Sequence, residues 1–438
     1  MANFYKVSPK KSPSIQQLTV TVNRLDPQGC GVAALGKKPL FVEGVLPGEV
    51  AIVKVHQQNN KFAKAKLVKL LKSSPEREDV KCQHYYQCGG CNLQHLQYAH
   101  QLSFKQEKVK QLFARQGIEA TLPWQAEITS EAWHYRRKAR VGVQYNKRGE
   151  PIVGFRQRES NNLTAIKNCP VLAKEFSDVF LQLREILPQL SGKNAIGHVE
   201  VIAASHNVVV IRQLTAMSKA DKVLWLAFSD KNQWLIYIDD GKKQLPLSHT
   251  EPLYYSINDT INIEFTTTDF IQVNHAVNQE MVKQALTWLQ LQQEDTVLDL
   301  FCGLGNFSLP IAQRVKSVVG VEGVQTMVTR ASDNAKRNGL SNCQFYQADL
   351  NSNWQNQSWA NQSFNKVLLD PARAGAYQAL EQLVKLKVKN LLYVSCDPAS
   401  LAKDAKLLTD HGYKIEKIAI MDMFSQTKHV ETMVVFTL

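Results

Sequence analysis

Residues 297–308 read Val297-Leu298-Asp299-Leu300-Phe301-Cys302-Gly303-Leu304-Gly305-Asn306-Phe307-Ser308. An apolar run stops at Asp299, a Gly-x-Gly turn follows, and a helix-like stretch from Phe307 to Val315 begins after it. This is the strand–turn–helix opening of a nucleotide-binding α/β unit. The glycines let the backbone turn tightly and approach a ligand with no Cβ in the way. The next apolar run, Ser317-Val318-Val319-Gly320-Val321-Glu322, ends in a carboxylate about 20 residues after the turn, where such folds place a ribose-hydroxyl acceptor. A Gly-x-Gly turn alone is also compatible with an ordinary loop. Asp299 before it and Glu322 after it point instead to a nucleoside site. Ser308 stands where a dinucleotide fingerprint has its third glycine, which favours S-adenosylmethionine over NAD, whose pyrophosphate needs that close approach.

The alternation of strands and helices continues to the C-terminus. Cys343-Gln344-Phe345-Tyr346 leads to Asp349, Lys366-Val367-Leu368-Leu369 to Asp370-Pro371-Ala372-Arg373, and Asn390-Leu391-Leu392-Tyr393-Val394 to Ser395-Cys396-Asp397-Pro398. Two last strands are expected around Ile415–Met421 and Val430–Phe436. Ligands of doubly wound sheets sit at the carboxyl ends of strands. Five strand ends here carry Asp299, Glu322, Asp349, Asp370 and Cys396, a convergence that packing does not explain. A lone cysteine at a strand end is usually a small buried residue. Cys396 lies on the ligand rim instead, and Glu431 opens the final strand. A thiolate and a base beside a methyl donor suit alkylation of pyrimidine C5. Addition of the thiolate to C6 makes C5 nucleophilic, and a base must then remove the C5 proton so that the thiolate can leave.

Upstream of this part the chain changes character. It has 438 residues and a formal net charge of +13. Residues 1–72 hold twelve Lys/Arg against three acids, giving +9, so this segment points to a polyanion, most simply nucleic acid. Its short strand-like runs, Leu18–Arg24, Leu40–Val42, Glu49–Val55 and Phe62–Val68, are separated by turns and predict a small β-barrel. Its Gly29-x-Gly31 and Leu46-Pro47-Gly48-Glu49 turns resemble those of a TRAM domain, an OB-like RNA-binding barrel. No apolar run is long enough to span a bilayer, and the first residues lack the apolar core of a signal peptide, so a cytoplasmic location is expected.

Eight cysteines in a reducing compartment are not expected to pair. Cys82, Cys88 and Cys91 form C-x5-C-x2-C, and Cys169-Pro170 follows much later. Four thiolates suit zinc or an iron–sulfur cluster. The three-plus-one spacing with proline after the last cysteine is closer to [4Fe–4S] ligation than to the paired knuckles of a zinc ribbon. Between the cysteines, Trp133-His134-Tyr135-Arg136-Arg137-Lys138-Ala139-Arg140 interleaves aromatics with cations, which suits either stacking of unpaired bases or a half-buried strand edge. Helices are expected over Ser103–Phe113 and Glu175–Leu187, and strands over Lys138–Tyr145, Gly197–Ala203 and Asn207–Arg212.

Taken together, these motifs resemble those of the RNA uracil-5 methyltransferases, and among them most closely the 23S ribosomal RNA branch. The resemblance covers nearly the whole chain. It implies an α/β protein with a Rossmann-like class I methyltransferase domain over 266–438, a TRAM barrel over 11–72, and a central α+β domain over 80–265 that carries a four-cysteine [4Fe–4S] cluster on Cys82, Cys88, Cys91 and Cys169. The family's Ser-Cys-Asn-Pro motif matches Ser395-Cys396-Asp397-Pro398 and implies Cys396 as nucleophile. Its His-Val-Glu motif matches residues 429–431 and implies Glu431 as the proton-abstracting base. Contacts to S-adenosylmethionine carry over to Gln272, Phe301, Asn306, Glu322, Asp349 and Asp370, with Asp370 also implied to hydrogen-bond the uracil. The implied partner is 23S ribosomal RNA, and a monomer without membrane contact or an obligate protein partner is expected.

Three residues depart from the family pattern: Ala372 and Ser425 stand where it has proline, and Asp397 where it has asparagine. Like charge from Asp397 would disfavour the neighbouring thiolate. Two rival readings remain. A transfer-RNA uracil-5 enzyme shares the chemistry but lacks the barrel and the cluster. A non-catalytic iron–sulfur RNA-binding factor would keep the fold and release no C5 hydrogen.

Overall fold

The computed structural model describes residues 17–118, 121–192 and 194–438. The start of the expected barrel, residues 11–16, lies outside the described residues. These fall into two compact units: residues 17–86 with Cys91–Gln101 and Gln426–Lys428, and Gln87–Gly90 with the described residues of 102–425 and His429–Leu438.

The first unit holds a six-stranded sheet in the order Gln17–Thr21, Val50–Gln58, Ala63–Lys72, Lys38–Glu43, Gly31–Leu35 and Arg24–Leu25. Alternate residues turn inward, so Val20, Val42, Ala51, Val53, Ala63 and Ala65 share one small core while Lys54 and Lys66 face water. Glu49, from the Leu46–Glu49 turn, is fully buried. It accepts from the Leu46 amide (2.8 Å), the Ser74 amide (3.1 Å) and Arg77 Nε (2.6 Å). Burial alone would raise its pKa, but Arg77 and the two amides outweigh burial and hold the carboxylate below its ordinary range.

In the second unit, residues 138–246 build a seven-stranded sheet whose middle strands are Asn207–Gln213, Ile196–Ala203 and Lys138–Tyr145, and Leu253–Ile257 and Ile261–Phe265 pair as a separate two-stranded sheet. The helices Val179–Ile186 and Lys219–Asn232 pack their apolar faces on it through Phe180, Leu183 and Trp225. The expected helix over 175–187 is broken into a helical core, Val179–Ile186, with tight single turns at Lys174–Phe176 and Leu187–Gln189; Pro188 stops its continuation.

The methyltransferase-like sheet runs in the order Cys343–Gln347, Ser317–Glu322, Thr296–Leu300, Lys366–Leu369, Asn390–Ser395, Glu431–Thr437 and Lys414–Met421. The first five strands are parallel, and the last two pair antiparallel. Its central strands are mostly apolar because both faces are covered. Val297, Leu368, Leu392 and Val394 join one core, and Leu298, Leu300, Val367, Leu369, Leu391 and Tyr393 the other. The edge strand Lys414–Met421 is itself covered: Gln125 and Ile128 amides donate to the Ile418 (2.8 Å) and Ile420 (3.0 Å) carbonyls. Among the described residues no helix is long and apolar enough to cross a membrane.

Candidate active site

The turn after Thr296–Leu300 is built on three left-handed residues, Phe301 (φ 65°), Gly303 (φ 56°) and Gly305 (φ 92°). Phe301 and Cys302 amides both donate to the Val321 carbonyl (2.9 and 3.1 Å), tying the turn to the neighbouring strand. At Gly305 a Cβ would lie 2.9 Å from Leu309 Cγ, so the helix Ser308–Ala312 can follow so closely only with glycine there. Ser308 Oγ donates to the fully buried Asp299 carboxylate at 2.5 Å. This is the position of the missing third glycine; here it supplies a hydroxyl.

Glu322, at the end of its strand, accepts from the Gly303 amide (3.3 Å) and the Val324 amide (3.0 Å), so its carboxylate stands beside the glycine turn. Asp349 is exposed two residues past its strand and accepts from the Asn351 amide at 3.0 Å. Asn306 is engaged on both amide atoms: Oδ1 accepts from Tyr255 (3.1 Å) and Asn278 (3.1 Å), and Nδ2 donates to Asn278 (3.0 Å). Gln272 precedes the helix His275–Trp288, and its carbonyl accepts from Arg137 Nε at 2.7 Å.

Strand pairing brings together the residues expected as nucleophile and base. Ser395 faces Thr432 in the antiparallel ladder, and Leu369 is level with Tyr393 in the parallel one. Cys396, Glu431 and Asp370 therefore leave adjacent strands at the same end of the sheet. The part-buried Cys396 thiol is pushed up to about 11, first by burial, then by the charges of Glu431 and Asp370, with Arg373 opposing them. Buried Glu431 is pushed up to about 8 by burial and by Asp370, and its Oε2 has no hydrogen-bond partner among the described residues. Burial pushes Asp370 up to about 7. Asp299 also rises to about 7, by burial and by Asp370 and Glu322, against the lowering hydrogen bond of Ser308. Asp299, Glu322, Asp370, Glu431 and Cys396 are thus electrostatically linked at one rim. Gln272 and Asn306 belong to a second network, through Arg137 and Tyr255.

Two departures from the family pattern are absorbed locally. Asp397 caps the helix Pro398–Asp410, its Oδ1 accepting from the Ala399 (3.1 Å) and Ser400 (2.9 Å) amides. The carboxylates acting on the Cys396 thiol are Glu431 and Asp370, not Asp397. Ser425 is buried; its hydroxyl donates to Asp422 at 2.6 Å and its carbonyl accepts from Tyr135 Oη at 3.0 Å. Asp422 also pairs with Lys105, and both side chains are fully buried.

The interleaved stretch 133–140 does not act as one base-stacking face. Tyr135, Arg137 and Ala139 point inward along the strand, and Arg136, Lys138 and Arg140 are more open. Period-two alternation sends Arg137 inward with Tyr135 and separates it from the other cations here.

The four expected cluster ligands, Cys82, Cys88, Cys91 and Cys169, all lie among the described residues. Cys88 is buried, and its Sγ accepts from the Gly90 amide at 3.4 Å. Among the described residues no group of three or more His, Cys, Asp or Glu is gathered to hold a metal ion.

Residues that the sequence did not single out are Tyr255, Asn278, His275, Lys105 and Asp422. Most of their partners lie 51 to 317 residues away along the chain, so no local spacing signals them.

The profile of the family described as tRNA (Uracil-5-)-methyltransferase matches residues 97–437, and that of the TRAM domain matches residues 15–68. A protein of Colwellia psychrerythraea named 23S rRNA (uracil(1939)-C(5))-methyltransferase RlmD is 52% identical over all of this chain and 99% of its own length. One of the same name from Aliivibrio salmonicida is 45% identical over the full length of both chains. The solved structure of Pyrococcus abyssi tRNA (uracil-54, C5)-methyltransferase in complex with S-adenosyl-L-homocysteine has the same fold, with TM-score 0.75 and 22% identity over 96% of this chain and 100% of that one.

Proposed function

The chain belongs to the tRNA (uracil-5-)-methyltransferase family, and from that premise we propose that it transfers a methyl group from S-adenosylmethionine to C5 of a uridine in 23S ribosomal RNA. The relatives that share its full length carry that activity in their names. The observation that carries the reading is the meeting of Cys396, Glu431 and Asp370 at one end of three adjacent strands.

Cys396, as thiolate, adds to C6 of the uracil, and the electron pair of the C5–C6 bond moves toward O4. S-adenosylmethionine would supply an electrophilic methyl group, which C5 takes up as the methyl–sulfur bond breaks and S-adenosylhomocysteine leaves with that electron pair. Glu431 removes the C5 proton, the pair reforms the C5–C6 bond, and the Cys396–C6 bond breaks to return the thiolate. Burial and Asp370 make Glu431 a stronger base than an ordinary carboxylate. Arg373 opposes the two carboxylates and favours the thiolate form of Cys396. Glu322 is assigned to the ribose, Gln272, Phe301, Asn306, Asp349 and Asp370 to the rest of the donor, and Asp370 also to the uracil. Because the ring must meet Cys396 face-on, the target uridine is unstacked or flipped when it reacts.

Cys82, Cys88, Cys91 and Cys169 are assigned to a [4Fe–4S] cluster. An all-sulfur donor set suits it, as does the Gly90 amide on Cys88 Sγ. No step of the reaction is routed through it. Anaerobically purified protein should contain iron and acid-labile sulfide; stoichiometric zinc would replace this assignment. Residues 11–72 are assigned to RNA binding, 80–265 to cluster and RNA, and 266–438 to catalysis, in a cytoplasmic monomer.

The test is the map of 5-methyluridine in 23S ribosomal RNA from cells with and without the gene, with transfer RNA from the same cells as control. Loss of one 23S position supports the reading. Loss confined to transfer RNA would assign the chain to the other branch.

A further inference from the structure

Arg137 is buried, yet among the described residues no carboxylate is paired with it. Its Nε donates to the Gln272 carbonyl (2.7 Å), and its Nη1 lies 3.2 Å from His275 Nδ1. The guanidinium carbon lies 4.7 Å from the centre of the Tyr255 ring, a cation–π contact. Nη2 has no hydrogen-bond partner among the described residues. A buried cation without a counter-charge among the described residues, and with its Nη2 group unspent, is costly if its only task is to fill space. What it holds is specific. One end of the group fixes the backbone of Gln272. Its face holds Tyr255, whose hydroxyl donates to Asn306 Oδ1 at 3.1 Å. Asn306 is locked in turn by the reciprocal amide pair with Asn278. Burial and the charge of Arg137 push His275 down to about 4, so His275 is neutral and can accept from Nη1.

We propose that Arg137 is a positioning residue for the methyl-donor site, fixing the Gln272 backbone directly and the Asn306 side chain through Tyr255. The proposal rests on the reading of Gln272 and Asn306 as donor contacts. Both sit on connecting segments, Gln272 just before the helix His275–Trp288 and Asn306 in the glycine turn. Loop residues hold a ligand well only when a rigid layer behind them sets their geometry. Arg137 stands next to the strand Lys138–Tyr145, so a sheet of the second unit supplies that rigidity. The planar fork matters: it serves a carbonyl, an imidazole and an aromatic face at once, which an ammonium cannot do.

The experiment measures KM and kcat for S-adenosylmethionine, the dissociation constant of S-adenosylhomocysteine and the melting temperature in the full-length holoprotein. The variants are R137M, R137K, Y255F, Q272A and N306A. Arg137→Met removes the charge at similar volume, so it should fold and melt close to wild type. The proposal expects R137M and R137K to raise the KM and the dissociation constant about tenfold or more, with a much smaller change in kcat. Tyr255→Phe removes only the bond to Asn306 and should raise them roughly threefold to tenfold. The R137M/Y255F pair should fall short of the product of the two effects, because both act along one chain of contacts. Donor binding that stays at wild-type strength in R137M and Y255F, while Q272A and N306A lose it, overturns the proposal. Wild-type donor binding in Q272A and N306A themselves overturns the assignment of the site on which it rests.

Discussion

Ser395 and Thr432 face each other across antiparallel strands, and this sets Cys396 and Glu431, the next residue on each strand, at one edge of the same ladder. The proposed nucleophile and base thus come from opposite ends of two strands that hydrogen bonding holds in register. Their roles predict different failures. C396A should show no methyl transfer above background and no covalent RNA complex. E431Q should still bind RNA and donor and still accept the methyl group. It should accumulate protein covalently joined to methylated RNA, because the C5 proton stays in place and the sulfur cannot leave. Denaturing gels with labelled RNA separate the two outcomes, and an E431Q protein that turns over like wild type would remove Glu431 from the base role.

The raised carboxyls make a prediction about stability. Asp299, Asp370 and Glu431 hold protons in the fold up to about 7, 7 and 8. The unfolded chain has lost those protons above about pH 4–5. Folding therefore takes up protons across that window, and stability falls as pH rises through it. The melting temperature should be lower near pH 9 than near pH 6, and E431Q should flatten part of that fall and melt above wild type at the alkaline end. Catalysis should run the other way: kcat/KM should rise with pH as Glu431 becomes a carboxylate. A melting temperature that climbs over the same range would contradict the burial of these groups.

Lys105 and Asp422 pair with both side chains fully buried, and Lys105 Nζ also donates to the Phe424 carbonyl at 3.2 Å. With Ser425 and Tyr135 they hold residues 422–425, just ahead of Glu431. Removing one partner strands a buried charge, so K105M should cost about 3–5 kcal/mol of stability. K105M/D422N should recover part of that loss, because the stranded charge is gone while Ser425 keeps an acceptor. Chemical denaturation of the three variants checks this, and a K105M protein as stable as wild type would show that the pair is not an internal anchor.

Asp397 caps a helix and does not silence the thiol. D397A should lose roughly 0.5–2 kcal/mol with the cap, whereas D397N, an equally good cap, should be nearly neutral. The rate at which Cys396 reacts with an alkylating agent should change less than twofold in D397N. A clear acceleration would mean that the charge of Asp397 reaches the sulfur after all.

The parallel sheet and its rim were legible because each strand is a short apolar run ending in a polar residue with a task. Val297 to Asp299 and Leu391 to Cys396 are the clearest cases. The residues proposed as nucleophile and base stood out through short motifs. The layer behind them did not. Arg137 looked like part of a cationic stripe for RNA, and only strand alternation sends it inward onto Tyr255. Ser425 and Asp397 looked like departures, and their partners, Asp422 and the first turn of a helix, show them to be local anchors. Such contacts join residues far apart in sequence or depend on which way a side chain turns, and neither follows from spacing.

The central claim is that Cys396 bonds to C6 of a uracil during turnover. The direct measurement incubates the protein with S-adenosylmethionine and 23S ribosomal RNA transcribed with 5-fluorouridine, in which fluorine cannot leave C5 as a proton does. Digestion and mass spectrometry should then find one peptide containing Cys396 that carries a methylated fluorouridine, absent from C396A. Methyl transfer by wild type with no such adduct, or an adduct on another residue, would contradict the account.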